Sequence, residues 1–257
     1  MGRIELDGAE NVRDLGGLPA RDGRQIAARR LLRGDNLQDL SPADVALLVT
    51  GIGLTTVIDL RSPAEVAAGG AGPLTLVGSV RHVQYSLLPE LASPAETAAA
   101  ALVIRLDAAS ARYPADLRCG LYLGYLEERP EQVVAALRGI ATAGGPALVH
   151  CAAGKDRTGV VVALALSVAG VRRDAIIADY AASAERVGQV MARLGAAPVY
   201  AAAIDGRPVL EHVPRAETMA AFLDQLDSRY GGTLAWLAGH GFGPDDARLL
   251  RAQLLES

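Results

Sequence analysis

Lysine is almost missing from this chain: of its 25 basic residues, 24 are Arg and one is Lys155. Aromatic residues are scarce as well, at 4%. Ala fills roughly a fifth of the positions, so the core has to be built from Ala, Leu and Val. Abundant Ala and Arg in place of Lys read as genome composition bias. There are two cysteines, Cys119 and Cys151, neither in a CxxC pair, so no disulfide framework is expected and a reducing compartment is. Excess positive charge is absent too. The 29 acidic residues leave a net charge of −4 and an isoelectric point near 5.6, which excludes a domain-wide basic surface and, with it, a nucleic-acid partner. The longest apolar run, Val160 to Gly170, falls short of the roughly 20 residues that span a bilayer, and no integral membrane association is expected. The N-terminus, MGRIELDGAENVRDLGG, has no apolar segment of signal-peptide type. The expected location is cytoplasmic, with secretion by a route that needs no signal peptide left open. His82, His212 and His240 are scattered without metal-ligand spacing, so neither a metal nor another cofactor is expected.

What is present points to a folded α/β protein. Hydrophobic residues make up 51% of the chain, charged residues 21%, and mean hydropathy is +0.23, the profile of a chain with a full core. Three short apolar segments bounded by Gly, Pro or charge predict strands: Leu54–Leu60, Val80–Leu87 and Ala147–Cys151. Arg21-Asp22-Gly23-Arg24 predicts a hairpin turn. Ser41-Pro42 predicts a capped helix start, and Pro130-Glu131 opens an amphipathic helix that ends near Gly144-Gly145. From Val171 onward the pattern is helical throughout, over about 172–195, 216–228, 231–239 and 244–255. Alternating strands and helices predict a largely parallel central sheet flanked by helices, with a helical C-terminal half. No linker or repeat divides the chain, so residues 1–257 are expected to form a single domain. Within it, 88–115 is Ala-rich and punctuated by Pro89, Pro94 and Pro114, and is expected to be a lid or a surface insertion.

Chemistry concentrates in His150-Cys151-Ala152-Ala153-Gly154-Lys155-Asp156-Arg157-Thr158-Gly159, between a predicted strand and an apolar helix. Such a loop is an anion cradle: successive backbone N–H groups and the helix dipole favour negative charge, and small side chains let the backbone curl around an oxyanion. Ala152, Ala153, Gly154, Lys155, Asp156 and Arg157 are therefore the expected phosphate-binding set, with Arg157 offering a planar two-pronged donor. In that field Cys151 is expected to sit as a thiolate aimed at phosphorus. His150 is assigned to orienting the cysteine backbone and supporting its low pKa, and Thr158 to donating its hydroxyl to the sulfur when the thiolate leaves. The loop is not a Walker element, because Asp156 follows Lys155 where Ser or Thr is required.

Four segments resemble the bacterial cysteine-dependent tyrosine and lipid phosphatases: Asn11-Val12-Arg13-Asp14-Leu15-Gly16-Gly17, Asp59-Leu60-Arg61-Ser62-Pro63-Ala64-Glu65, the HCAAGKDRTG loop, and Ala178-Asp179-Tyr180. The resemblance implies a protein-tyrosine-phosphatase-like fold, Cys151 as nucleophile, Arg157 as phosphate clamp, Lys155 as a further cation for this or a neighbouring phosphate, and Asp156 as general acid. Related enzymes take the proton from an Asp on a separate upstream loop, which makes Asp107 and Asp116 alternatives. Asp59 and Arg61 are supporting residues, with a strand-end ion pair as likely a role as direct catalysis. Asn11–Gly17 is expected to support the site, and Asp179-Tyr180 to pack near it. Cys119 is expected to be a small buried hydrophobe, with a protective disulfide to Cys151 as the alternative.

The expected function is hydrolysis of phosphomonoesters through a cysteinyl-phosphate intermediate. The partner is a phosphorylated substrate: a phosphotyrosine protein or a phosphoinositide by the resemblance, with a small phosphorylated metabolite as the alternative. A silent phosphate-binding module is disfavoured because both Cys151 and Arg157 are present.

Overall fold

A computed structural model describes residues 2–89, 105, 107–198, 200–201 and 208–256. Six strands form one sheet: β1 (Gly2–Arg3), β2 (Arg13–Asp14), β3 (Leu31–Gly34), β4 (Thr56–Asp59), β5 (Arg81–Gln84) and β6 (Ala147–His150). Their order across the sheet is β1-β2-β3-β6-β4-β5. The first two are short antiparallel additions, and β3, β6, β4 and β5 run parallel. β6 thus lies between β3 and β4. Parallel strands buried on both faces need apolar side chains on both. Leu31, Ile58 and Val149 face one cluster, and Leu32, Val57 and Leu148 face the other.

The three predicted strands form, two trimmed at both ends and the third only at Cys151. β3 was not predicted: LLRG is brief and follows Arg29-Arg30. It exists because Leu31 and Leu32 each fill a different face of the sheet and Leu31–Gly34 pairs in register with Ala147–His150. The expected turn closes through Ala20 N–H to Arg24 C=O at 2.8 Å, with Gly23 at φ +89°.

Among the described residues the helices with both ends in view are α1 (Pro42–Ala46), α2 (Pro63–Gly69), α3 (Leu117–Glu128), α4 (Pro130–Ala141), α5 (Asp156–Ala169), α6 (Arg173–Ala182), α7 (Val187–Ala196), α8 (Val209–His212), α9 (Ala216–Tyr230), α10 (Thr233–Gly239) and α11 (Pro244–Leu254). α1 and α2 each start at Ser-Pro with a reciprocal capping box, Ser41 with Asp44 and Ser62 with Glu65. The predicted helix over 172–195 is interrupted by a 3-10 turn at Ser183–Arg186, which sets α7 off from α6. α5 is buried almost all round, so its apolar run belongs to a central core helix. Among the described residues no helix is long and apolar enough to cross a membrane.

Candidate active site

The loop after β6 starts at the centre of the sheet and ends in the first turn of α5, whose position is fixed by burial of Val160–Ala169. Leu60 N–H donates to His150 C=O at 2.9 Å, and Asn36 N–H to Ala152 C=O at 3.0 Å. Gly154 sits at φ +66°, and a Cβ there would lie 2.5 Å from Gly34 O, so conformation and space both demand glycine.

A buried buttress behind the loop decides which way its peptides face. Asn11 Nδ2 donates to Ala153 O and Gly154 O at 3.3 and 3.2 Å, and Arg33 Nη2 donates to Gly154 O at 2.8 Å. Arg13 Nη1 in turn holds Asn11 Oδ1 at 2.7 Å. Asp179, fully buried, balances both guanidiniums, at 2.8 Å from Arg13 Nε and 2.5 Å from Arg33 Nη1. Burial alone would raise the Asp179 carboxyl, but the two arginines outweigh it and hold it below the usual range. With these carbonyls turned to the buttress, the N–H groups of Ala152 to Lys155 meet no acceptor among the described residues. That is the donor set an oxyanion requires.

Cys151 is buried at the base of the loop as a free thiol. Arg157 is gripped from α2: its Nη1 and Nη2 meet Glu65 Oε2 and Oε1 at 2.6 and 2.8 Å, and Nη1 also meets Leu60 O at 3.2 Å. Arg157 Nε meets no acceptor among the described residues, so the Nε–Nη2 edge of the guanidinium can take an oxyanion. Burial works to raise Glu65, but Arg157 and the Ser62 cap bring it down to about 2. Glu65 was not singled out from the sequence. Its signals were its place at the end of the resembling segment Asp59–Glu65 and the Ser62-x-x-Glu65 spacing of a capping box, and neither points to Arg157 as a partner.

Lys155 and Asp156 face a different wall. Lys155, buried, donates to His212 O at 2.9 Å and lies 3.1 Å from Asp156 Oδ2. Asp156 Oδ1 accepts from the Tyr122 hydroxyl at 2.6 Å, and Arg118 Nε is 3.7 Å away. Burial would raise the Asp156 carboxyl, but Lys155, Arg118 and Tyr122 overcome it and hold it well below the ordinary value. Burial pulls Lys155 down, opposed by Asp156.

His150 is buried with its Nε2 3.7 Å from Asp59 and its Nδ1 3.4 Å from Cys151 O, which agrees with a backbone-orienting role. The expected support for a low cysteine pKa is not there: desolvation takes the His150 pKa down to about 4, so it stands neutral beside the cysteine and lends it no positive charge. Thr158 is fully buried, and its hydroxyl makes no hydrogen bond to Cys151 or to any other described residue. Asp59 and Arg61 pair at 2.6 Å, and Arg61 reaches on to Asn36 Oδ1 and Gly70 O, a brace between the segment after β3 and the end of α2. Of the alternative acids, Asp116 is committed as the cap of α3, accepting from Arg118 N, Cys119 N and Thr218 Oγ1, and Asp107 is exposed. Cys119 packs in the core, where burial pushes its thiol up to about 12.

A third apolar cluster covers the loop. Val187, Val190, Met191 and Leu194 of α7, with Tyr200, pack on Ala152. Arg193 anchors that cover to Gly8 O at 2.5 Å and to Asp35 at 3.4 Å. The expected lid over 88–115 falls largely outside the described residues, which leave out 90–104 and 106. Val187, Val190, Met191, Leu194, Tyr200 and His212 are among the described residues that lie against the loop.

A family model described as a tyrosine phosphatase family matches residues 4–256. The chain is 33% identical over 242 residues to the protein named "Putative tyrosine-protein phosphatase H16_A0669" of Cupriavidus necator, covering 90% of this chain and 82% of that one. It is 32% identical, over a 287-residue alignment, to the triple specificity protein phosphatase PtpB of Mycobacterium tuberculosis, covering 98% of each. Among solved structures, it is similar to the core catalytic domain of the PP-IP phosphatase SIW14 from S. cerevisiae, with 13% identity, a TM-score of 0.41, and coverage of 91% of this chain and 98% of that one.

Proposed function

The chain belongs to the tyrosine phosphatase family and is a cysteine-dependent phosphatase, and from that premise we propose that residues 1–257 work as one phosphomonoester hydrolase with Cys151 as its nucleophile. The observation that carries the reading is the loop itself: a buried thiol at the end of the central strand, beneath N–H groups turned inward by Asn11 and Arg33.

In the first step the Cys151 thiolate attacks phosphorus opposite the ester oxygen. An S–P bond forms, the P–O bond breaks, and Asp156 gives its proton to the leaving oxygen. The loop N–H groups and the free edge of Arg157 hold the equatorial oxygens. In the second step water attacks the phosphocysteine, the S–P bond breaks, the thiolate leaves, and Asp156 takes the proton from water. Asp156 is held ionised at rest, so it needs a reason to carry a proton. Substrate supplies one: Lys155 turns from Asp156 to the phosphate dianion, and the added negative charge raises the proton affinity of the carboxylate. His150 orients the cysteine, Glu65 the arginine, and Asp59 with Arg61 the surrounding loops.

We further propose phosphotyrosine in proteins as the principal substrate, with phosphoinositides as a second class that Lys155 would serve. The name of the mycobacterial relative supports a breadth of substrate. A small phosphorylated metabolite or a silent binding module is not favoured. Cys151→Ser tests the nucleophile: hydrolysis of p-nitrophenyl phosphate should vanish while calorimetry still detects inorganic phosphate binding. Wild-type turnover in that variant would remove Cys151 from the mechanism. A panel of phosphotyrosine, phosphoserine and phosphoinositide substrates tests the class, and a preference for phosphoserine would overturn it.

A further inference from the structure

Asp156 is reached from behind by a chain of hydroxyls. Tyr122, on α3, places its hydroxyl 2.6 Å from Asp156 Oδ1 and 2.6 Å from the hydroxyl of Tyr180, on α6. Both rings are buried, edge to face at 78° and 6.1 Å between centroids, and Phe222 packs on Tyr122 at 5.8 Å. The arrangement has one consistent direction. A phenol carries one proton, and while Asp156 is ionised Tyr122 must spend that proton on Oδ1. Tyr180 must then donate to the Tyr122 oxygen, and the Arg118 guanidinium faces the Tyr180 hydroxyl from outside. Each donation strengthens the next, so the chain ends in a strong donor aimed at one carboxylate oxygen.

We propose that Tyr122, backed by Tyr180, is a positioning residue for Asp156: it occupies Oδ1 throughout the cycle and leaves Oδ2 as the oxygen that exchanges a proton with the leaving group and then with water. The rest of the shell agrees. Oδ2 faces Lys155, a partner that the mechanism sends to the phosphate, whereas Oδ1 faces a group too buried to leave. Burial, together with Asp156, raises the Tyr122 hydroxyl well above the phenol range, so it stays a donor and does not itself become the acid. The charged and titratable groups around the carboxylate are Lys155 from the loop, Arg118, Tyr122 and Tyr125 from α3, and Tyr180 from α6. This inference rests on the assignment of Asp156 as general acid.

The test compares two substrates of the enzyme comprising residues 1–257. The leaving group of p-nitrophenyl phosphate departs readily without a proton, whereas phenyl phosphate needs one. Tyr122→Phe should lower kcat on phenyl phosphate by about tenfold, a part of what general acid catalysis supplies, and change kcat on p-nitrophenyl phosphate less than twofold. It should also move the basic limb of the kcat profile, which reports the substrate complex in which Asp156 carries its proton, upward by about one pH unit, because a carboxylate that loses a charge-assisted hydrogen bond holds its proton more tightly. A structural role would lower both substrates alike and leave the limb in place, and that result, or no change at all, overturns the proposal. Asp156→Asn separates this from the underlying reading. If Asp156→Asn is selective for phenyl phosphate and Tyr122→Phe is not, the positioning role alone fails. If Asp156→Asn is unselective, the general-acid assignment fails and the positioning role falls with it. Should Tyr122→Phe not fold, Tyr180→Phe should shift the limb in the same direction by less, and an unmoved limb there counts against the chain of donors.

Discussion

Glu65 shows how one side chain can satisfy a local rule and serve a distant site. It caps α2, accepting from Ser62 N–H at 2.7 Å, and with the same carboxylate it fixes the plane of Arg157 from 92 positions away. A planar fork held at two points cannot rotate, so the guanidinium is presented to phosphate already oriented. Glu65→Gln keeps one acceptor and breaks the fork. It should lower kcat/KM roughly tenfold and weaken competitive inhibition by phosphate in parallel; a change in thermal stability without either would assign Glu65 to the cap alone. Cys151, Arg157 and the loop between them were legible in the sequence because their chemistry depends on contiguous spacing. Glu65 was not, because nothing in Ser62-Pro-Ala-Glu65 says what lies across the sheet.

At the scale of elements, the loop is shaped less by its own residues than by three segments that converge behind it. β2 brings Arg13, β3 brings Arg33, and α6 brings Asp179, and together with Asn11 they fix two loop carbonyls. Asp179-Tyr180 therefore does more than pack: one residue neutralises the buttress, and the next stands behind Tyr122. Removing the carboxylate leaves two buried guanidiniums without a counter-charge. Asp179→Asn should cost about 3 kcal/mol or more, seen as a lower urea midpoint. An unchanged midpoint would mean that the triad is not needed for folding. The strand Leu31–Gly34 and the helix Leu117–Glu128 escaped the sequence reading for different reasons. The first is four residues long with an arginine inside it, and the second carries Gly120 and Gly124 in its interior. Gly120 is there because a Cβ would sit 2.0 Å from Ala109 O, a packing demand that overrides helix propensity.

For the whole molecule, the buried titratable groups predict an uneven response to acid. His150 falls to about 4 in the folded protein, so protonation of the unfolded chain withdraws stability as pH drops from 6.5 to 4. Asp35 moves the other way. Desolvation raises it to about 6 against the N–H groups of Asn11 and Glu10, so the folded state takes up its proton first and gains stability over nearly the same interval. Shifts of this size are each worth about 3 kcal/mol and nearly cancel. Below pH 4.5 the balance ends: burial raises Glu65 and Asp59, but their partners bring both down to about 2, and the stability this supplies is lost as they protonate. Unfolding free energy should thus be nearly flat from pH 6.5 to 4.5 and fall steeply toward pH 2. His150→Gln should turn the flat region into a rise toward acid. A variant profile parallel to wild type would show that the imidazole is not buried neutral.

The amino-acid sequence by itself determined the α/β class, the parallel centre of the sheet, the helical C-terminal half and the phosphate loop, because each depends on local periodicity, caps or contiguous spacing. The tertiary structure alone decided the rest: that Glu65 holds Arg157, that Asn11 and Arg33 turn the loop N–H groups inward, that Asp156 rests ionised against Lys155 and Tyr122, and that α7 lies over the loop. These are contacts between residues far apart in the chain. No spacing encodes them, and they exist only once the sheet order and the packing of α3 and α6 have brought the segments together.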